Sequence, residues 1–301
     1  MDYSAKNFRK ELARTGTFYT DAKLAELIRQ ELGDTDEVYD PTCGNGNLLA
    51  VFPDECRKYG QELREEQLRE SEQRLVNFTG VAGDTLKEPA FMDRKFKVIA
   101  ANPPFSVKWE PEADVRFADA PCLPPPSKAD WAFILHCWYM LAEGGTAAIL
   151  CFPGALYRGQ REGKIREWLV RQNAVSKVIA IEGGYFEDTN IATVLLVLQK
   201  ARTATTTLMT DHLTGLSKEV SIQEMEANDF NLSVSSYVEP PMPETSPIDP
   251  WKLELEAREQ MKMKLRKDLI FDRQVCAIEH WDITSFLDDL ISILEEFRPL
   301  S

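Results

Sequence analysis

The tetrapeptide Asn102-Pro103-Pro104-Phe105 concentrates more chemistry than any other stretch of the sequence. It follows FKVIAA, residues 96–101, an apolar run that reads as a buried strand. The tetrapeptide then sits at the carboxyl edge of a sheet, where open α/β sheets bind ligands. Two successive prolines stiffen the turn and remove two backbone donors. What remains is acceptor character, from the Asn102 side-chain oxygen and the Pro103 carbonyl. Such a pair suits a planar amino group with two N–H bonds, its ring stacked on Phe105. The plainer interpretation is a rigid turn with a packing phenylalanine. The cost of a buried asparagine without partners weighs against it.

Three further segments end strands at the same edge. DPTCGNGNLL, residues 40–49, follows a short strand at Val38 and Tyr39. Its glycines, Gly44 and Gly46, let the backbone approach a ligand near a helix N-terminus, although a Gly-x-Gly is often only a tight turn. Asp40 at the strand end suits a ligand with an ammonium or sulfonium and disfavours a phosphate. No GKS or GKT is present, which excludes a P-loop nucleoside triphosphatase. Glu62 lies about 20 residues beyond the glycine turn, the spacing at which an acidic side chain grips ribose hydroxyls in doubly wound folds. An exposed glutamate at a helix start fits the local sequence equally well. Asp84, in VAGDTL, is either a ligand-facing carboxylate or a turn aspartate. Phe186, in GGYFEDTN, is either a second aromatic wall or a loop aromatic covering the core.

The elements that must position these residues alternate along the chain. The first stretch, up to Arg14, reads as a helix or arm. Thr20 is a fair N-cap for a helix carrying Leu24, Leu27, Ile28 and Leu32, ended by Gly33. Residues 47–55 leave room for a short helix only. Residues 62–77 read as a charged helix and 78–83 as a strand. After FKVIAA come a helix over 128–141, a break at Gly144-Gly145, a strand over 146–152, a helix over 162–172, and strands over 175–181 and 192–199. Such alternation predicts a mostly parallel sheet with helices on both faces. The last two strands are too close for a helix between them, which predicts an antiparallel hairpin at one edge. Beyond Lys200 the pattern weakens to a few short strands. EPPMPETSPIDP, residues 239–250, is a proline-rich linker, and a helical tail over 251–301 follows.

Composition limits the function. The chain has 301 residues with 35 Lys plus Arg against 49 Asp plus Glu, a formal charge of −14. That argues against strong unaided nucleic-acid binding, which relies on basic surface. No apolar run approaches a membrane span, and no secretory signal is visible. Six cysteines without a CxxC pair fit a reducing cytoplasm, and three scattered histidines suggest no metal site.

Taken in order, these motifs resemble the γ-type amino-methyltransferases that modify adenine N6 in DNA, and most of all the modification (M) subunits of type I restriction–modification systems. The resemblance covers roughly residues 12–238. TFYT is similar to the family's first cofactor motif, DPTCGNG to its glycine loop, YGQEL to the ribose motif, GDTL to the adenine motif and NPPF to the catalytic motif. DVRFADAPCLPPPSKADWAFILH and FPGALYRGQREGKIREWLV are similar to stretches that distinguish type I M subunits. The resemblance implies a class I, Rossmann-like S-adenosylmethionine-dependent methyltransferase fold over residues 1–238, with a seven-stranded sheet. It places the cofactor against Thr17, Phe18, Tyr19, Thr20, Asp40, Pro41, Thr42, Gly44, Gly46, Asn47, Leu48, Glu62, Asp84, Thr85, Leu86 and Asn102. Thr20 and backbone around Gly44 and Gly46 would hold the methionine carboxylate, Asp40 would orient that loop near the amino group, Glu62 would bind the ribose, and Asp84 the cofactor's adenine amine. Asn102, Pro103, Pro104 and Phe105 would be catalytic, with Phe105 and Phe186 stacking on a flipped base.

The same resemblance implies double-stranded DNA as substrate, a separate specificity (S) subunit, and a system that can include a restriction subunit. Family members usually carry a long helical N-terminal domain, whereas about 15 residues precede the first motif here. No stretch after Lys200 is large enough for a target-recognition domain, which fits a helical tail that contacts a specificity partner. The alternatives are methylation of a glutamine amide in protein or a base in RNA, and a non-catalytic cofactor-binding assembly subunit.

Overall fold

A computed structural model describes residues 20–183 and 192–239, together with helical residues scattered between Trp251 and Ile291. The chain divides into two compact units, Met1–Pro240 and Pro241–Ser301.

Among the described residues, the first unit is built on one nine-stranded sheet in the order β3-β2-β1-β4-β5-β7-β6-β8-β9. Its strands are β1 (Glu37–Asp40), β2 (Arg57–Glu62), β3 (Phe78–Ala82), β4 (Phe96–Ala101), β5 (Leu141–Cys151), β6 (Val175–Ile181), β7 (Thr193–Gln199), β8 (Thr206–Asp211) and β9 (Ser217–Ser221). Neighbours from β3 to β5 pair in parallel, as do β6 and β8. Strand β7 runs antiparallel to both β5 and β6, and β8 is antiparallel to β9. The six strands placed from the sequence as far as residue 199 and the β6–β7 hairpin are present, and β2, which was not expected, brings β1–β7 to seven. That hairpin is not the margin of the sheet, however, because β8 and β9 extend it past β6.

Alternating side chains on the central strands feed two cores. Ile99 and Ala101 of β4 and Ala147, Ile149 and Cys151 of β5 join one cluster with Trp131, Ile134 and Leu135 of α3 (Asp130–Met140) and Ile165 and Leu169 of α4 (Gln160–Arg171). Val98 and Ala100 of β4 and Ala148 and Leu150 of β5 join the other, with Leu24, Ile28 and Leu32 of α1 (Ala22–Leu32) and Leu68 of α2 (Glu65–Arg74). This period of two is what buries a strand on both faces. A short α5 (Ile222–Ala227), opened by a Ser221–Glu224 capping box, follows β9.

Four local expectations need correction. Asp21, not Thr20, caps α1; its carboxylate accepts the Lys23 N–H at 2.8 Å. The segment 62–77 is not one helix. Residues 57–62 form β2, and α2 starts only at Glu65. Where a helix was expected after the glycine loop there is a single 3-10 turn, Leu49–Val51. Strand β5 begins at Leu141 and runs through the glycine pair rather than after it. Gly144 takes φ +70°, a Cβ on Gly145 would meet the Lys97 carbonyl at 2.8 Å, and the register with β4 jumps from Phe96↔Leu141 to Val98↔Thr146, so the pair sits in a bulge within the strand.

Candidate active site

A cavity of about 770 Å³ opens at the carboxyl ends of β1, β2, β3 and β4. Its lining includes Thr20, Asp40, Pro41, Thr42, Gly44, Asn47, Leu48, Glu62, Asp84, Thr85, Leu86, Asn102 and Pro104. Twelve of the sixteen residues expected to hold a cofactor therefore share one space. Thr17, Phe18 and Tyr19 lie outside the described residues, as do Phe186 and the stretch up to Arg14.

The glycine loop is positioned by its neighbours. Asp40, 1% exposed at the end of β1, accepts the Thr42 N–H at 2.9 Å. Burial pushes its carboxyl up to about 7 from the usual 3.8; the Thr42 N–H pulls it down and the Glu62 charge adds to the rise. Gly44, at φ +54°, donates its N–H to Glu62 Oε2 at 3.0 Å. Its carbonyl accepts the Ser71 hydroxyl of α2 at 2.8 Å. Gly46, at φ +80°, does not line the cavity; a Cβ there would meet Leu75 Cδ1 at 2.8 Å. Gly46 thus lets the loop lie against the end of α2, while Gly44 faces the cavity.

Glu62 ends β2 and is buried, so it is not the exposed helix-start glutamate that local sequence allowed. Its second oxygen accepts the Arg64 N–H at 3.0 Å. An ionised carboxylate has about four acceptor sites, so two backbone contacts leave capacity for ligand hydroxyls. Asp84 combines both of its readings: it lines the cavity and also closes a turn by accepting the Leu86 N–H at 2.9 Å.

The Asn-Pro-Pro-Phe corner meets the cavity through Asn102 and Pro104. The Asn102 amide nitrogen donates to the Thr20 hydroxyl at 3.0 Å, and the Thr20 carbonyl accepts the Asn47 amide at 3.3 Å. Thr20, relieved of capping α1, thus orients the Asn102 amide and links it to the glycine loop. Pro103 is buried and does not line the cavity. Phe105 packs near Phe152, ring centroids 6.4 Å apart at 47°.

One wall was not legible in the motifs. Val107, Lys108, Trp109, Glu110 and Pro126 also line the cavity. The Trp109 indole donates to the Pro125 carbonyl at 2.9 Å and its backbone N–H to Pro126 at 3.0 Å. The available signal was a tryptophan shortly after NPPF and a triple proline before α3. Among the described residues, no group of histidine, cysteine and carboxylate side chains could hold a metal, the five cysteines are free, and no helix is long and apolar enough to cross a membrane.

An open sheet of this order, with helices on both faces and a cavity at its carboxyl edge, defines the class I S-adenosylmethionine-dependent methyltransferase fold. A family profile described as N-6 DNA Methylase matches residues 2–215, and the chain belongs to that family. It is similar to the type I restriction enzyme MpnII methylase subunit of Mycoplasma pneumoniae, 39% identical over 220 residues, covering 62% of this chain and 40% of that one. The MjaIX methylase subunit of Methanocaldococcus jannaschii is 27% identical, covering 62% of this chain and 38% of that one. A solved type I restriction–modification methyltransferase subunit from Streptococcus thermophilus superposes with a TM-score of 0.68 at 29% identity, covering 74% of this chain and 59% of that one. The chain spans about two fifths of the length of the two curated relatives.

Proposed function

We propose that this chain transfers a methyl group from S-adenosylmethionine to N6 of an adenine flipped out of double-stranded DNA, as the catalytic part of a type I-like modification complex. The observation that carries the reading is that Asn102 and Pro104 of the Asn-Pro-Pro-Phe corner open onto the same cavity as the acidic glycine-loop site. The residues fit the cofactor. Asp40, Glu62 and Asp84 are three carboxylates lining one cavity, suited to ammonium, hydroxyl and amine donors and hostile to phosphate. When bound, S-adenosylmethionine supplies a sulfonium-activated methyl group.

The chain's own residues do the rest by placement. Adenine N6 is a poor nucleophile because its lone pair is delocalised into the ring. The Asn102 side-chain oxygen and the Pro103 carbonyl accept its two N–H bonds, which favours a pyramidal nitrogen with a localised lone pair. Thr20, by holding the Asn102 amide nitrogen, sets which edge of that amide carries the oxygen. Phe105 and Phe186 stack on the extruded base. No covalent nucleophile is required; orientation and fixed dipoles lower the barrier, and a base inside a duplex must be extruded to reach such a pocket.

In this reading residues 1–238 form the catalytic domain, 239–250 a linker and 251–301 a partner-binding tail, with a specificity subunit supplying sequence recognition and a restriction subunit joining where the system has one. The site of action is the cytoplasm. The test is transfer of a labelled methyl group by the full chain with its specificity partner, comparing duplex DNA, RNA and protein acceptors. Duplex DNA should be the preferred acceptor. Asn102→Ala should lower transfer about 100–1,000-fold while cofactor binding persists. Labelling of RNA or protein instead, or transfer that survives Asn102→Ala, refutes the reading.

A further inference from the structure

Arg116 is 5% exposed and does not line the cavity, yet all five of its guanidinium N–H groups are engaged. Nε donates to Asp114 Oδ1 at 2.8 Å, and Nη2 to Asp114 Oδ2 at 3.0 Å and the Leu86 carbonyl at 2.7 Å. Nη1 donates to the Thr85 carbonyl at 2.7 Å and meets His136 Nδ1 at 3.1 Å. A guanidinium has no lone pair to offer, so His136 Nδ1 must accept. The imidazole is then the neutral Nε2–H tautomer, and that N–H donates to the Tyr39 hydroxyl at 3.1 Å. Burial first, and the guanidinium second, keep His136 from protonating until about pH 3. Tyr39 directly precedes Asp40, so one network joins the 84–86 turn, helix α3 and the end of β1.

A buried charge is an expensive way to fill space, since an apolar side chain of similar volume would serve packing as well. Two adjacent carbonyls facing inward do need donors, and only a planar fork reaches both while a carboxylate braces its other side. Those carbonyls belong to Thr85 and Leu86, which line the cavity with Asp84. We propose that Arg116 is a positioning residue for the nucleobase end of the cofactor site. It clamps the 84–86 turn so that the Asp84 carboxylate meets the exocyclic amine of the cofactor's adenine. This inference rests on reading the cavity as an S-adenosylmethionine site.

The experiment measures the affinity of the full chain for S-adenosylhomocysteine and for S-inosylhomocysteine, in which a C6 carbonyl oxygen replaces the exocyclic amine. Wild-type chain should prefer the adenosyl ligand by about tenfold or more, the worth of one hydrogen bond to a charged group. Arg116→Lys keeps a cation but removes the fork, and should compress that preference to about threefold or less through loss of adenosyl affinity. Equal loss for both ligands would mean a purely structural role and would overturn the inference, as would an unchanged preference. Wild-type chain that binds neither ligand would instead overturn the reading of the cavity, and that is seen before any variant is made. If Arg116→Lys does not fold, Asp114→Asn carries the same test, because Asp114 is partly exposed and its loss frees the guanidinium to turn.

Discussion

Asp40 shows how burial tunes one carboxyl. Unfolded, it ionises near 3.8; folded, it holds its proton to about 7. Between these values the folded chain binds a proton that the unfolded chain has released. The stability contributed by Asp40 is therefore fully present below pH 3.8 and is lost as pH rises toward 7. A cationic ligand beside the carboxylate reverses the preference and expels the proton. Affinity for S-adenosylmethionine should accordingly rise about tenfold between pH 5.5 and 7, a window below the titration of the ligand's own amine. Calorimetry in two buffers of different ionisation enthalpy should show proton release at pH 6, and Asp40→Asn should remove it; affinity that ignores pH in wild type would refute the assignment. Gly46→Ala should cost about 1–3 kcal/mol, because φ +80° disfavours a side chain and Leu75 occupies its space; a thermal melt reads the loss. At this scale the sequence was most informative where one residue type has few uses. Asn102, Asp40 and Gly44 were legible because acceptors, carboxylates and positive-φ glycines at strand ends have specific jobs. Trp109 was not, since nothing local tells a cavity wall from a core aromatic, and the role of Arg116 was invisible because the two carbonyls it holds lie about 30 residues away.

Among the elements, β4 and β6 were readable from their apolar runs, whereas β2 was not. RKYGQE is charged and polar, and its neighbours look helical. The structure explains how such a segment becomes an interior strand. Lys58 is 1% exposed, and its ammonium spends its three donors on the carbonyls of Pro53, Cys56 and Val76. Gly60 lies against Cys43 and Phe78, where a Cβ would come within 2.7 Å of sulfur. Lys58→Met keeps the length but leaves three carbonyls without their donor. It should destabilise the chain by about 2 kcal/mol, lowering the urea midpoint with an unchanged slope. An unchanged midpoint would show that water replaces the ammonium at no cost. The cap role given to Thr20 failed for a related reason: a threonine before a helix and a threonine facing a cavity look alike, and only the Asp21 cap separates them.

For the molecule as a whole, a charge of −14 leaves little long-range attraction for DNA. The full chain alone should bind duplex DNA no more tightly than about 1 µM at physiological salt and methylate it poorly, and a specificity partner should strengthen both by about 100-fold or more. Tight sequence-specific methylation by the isolated chain, measured by gel shift and methyl incorporation, would remove the need for that partner. Architecture was legible as far as its class, because strand–helix alternation leaves few topologies. Where the short strands past Lys200 join the sheet was not, since TTLMTD and SKEVS are mostly polar runs that send only Met209 and Val220 into the apolar core. The antiparallel insertion of β7 between β5 and β6 bears on biosynthesis. Strand β5 is finished at Cys151, but its partner in the sheet arrives only with residues 193–199. Until the ribosome has delivered those residues, the nascent chain carries an apolar strand with one flank unsealed. A translation product halted before that point would offer the flank to any other strand in reach, which makes premature termination in this interval a route to aggregates.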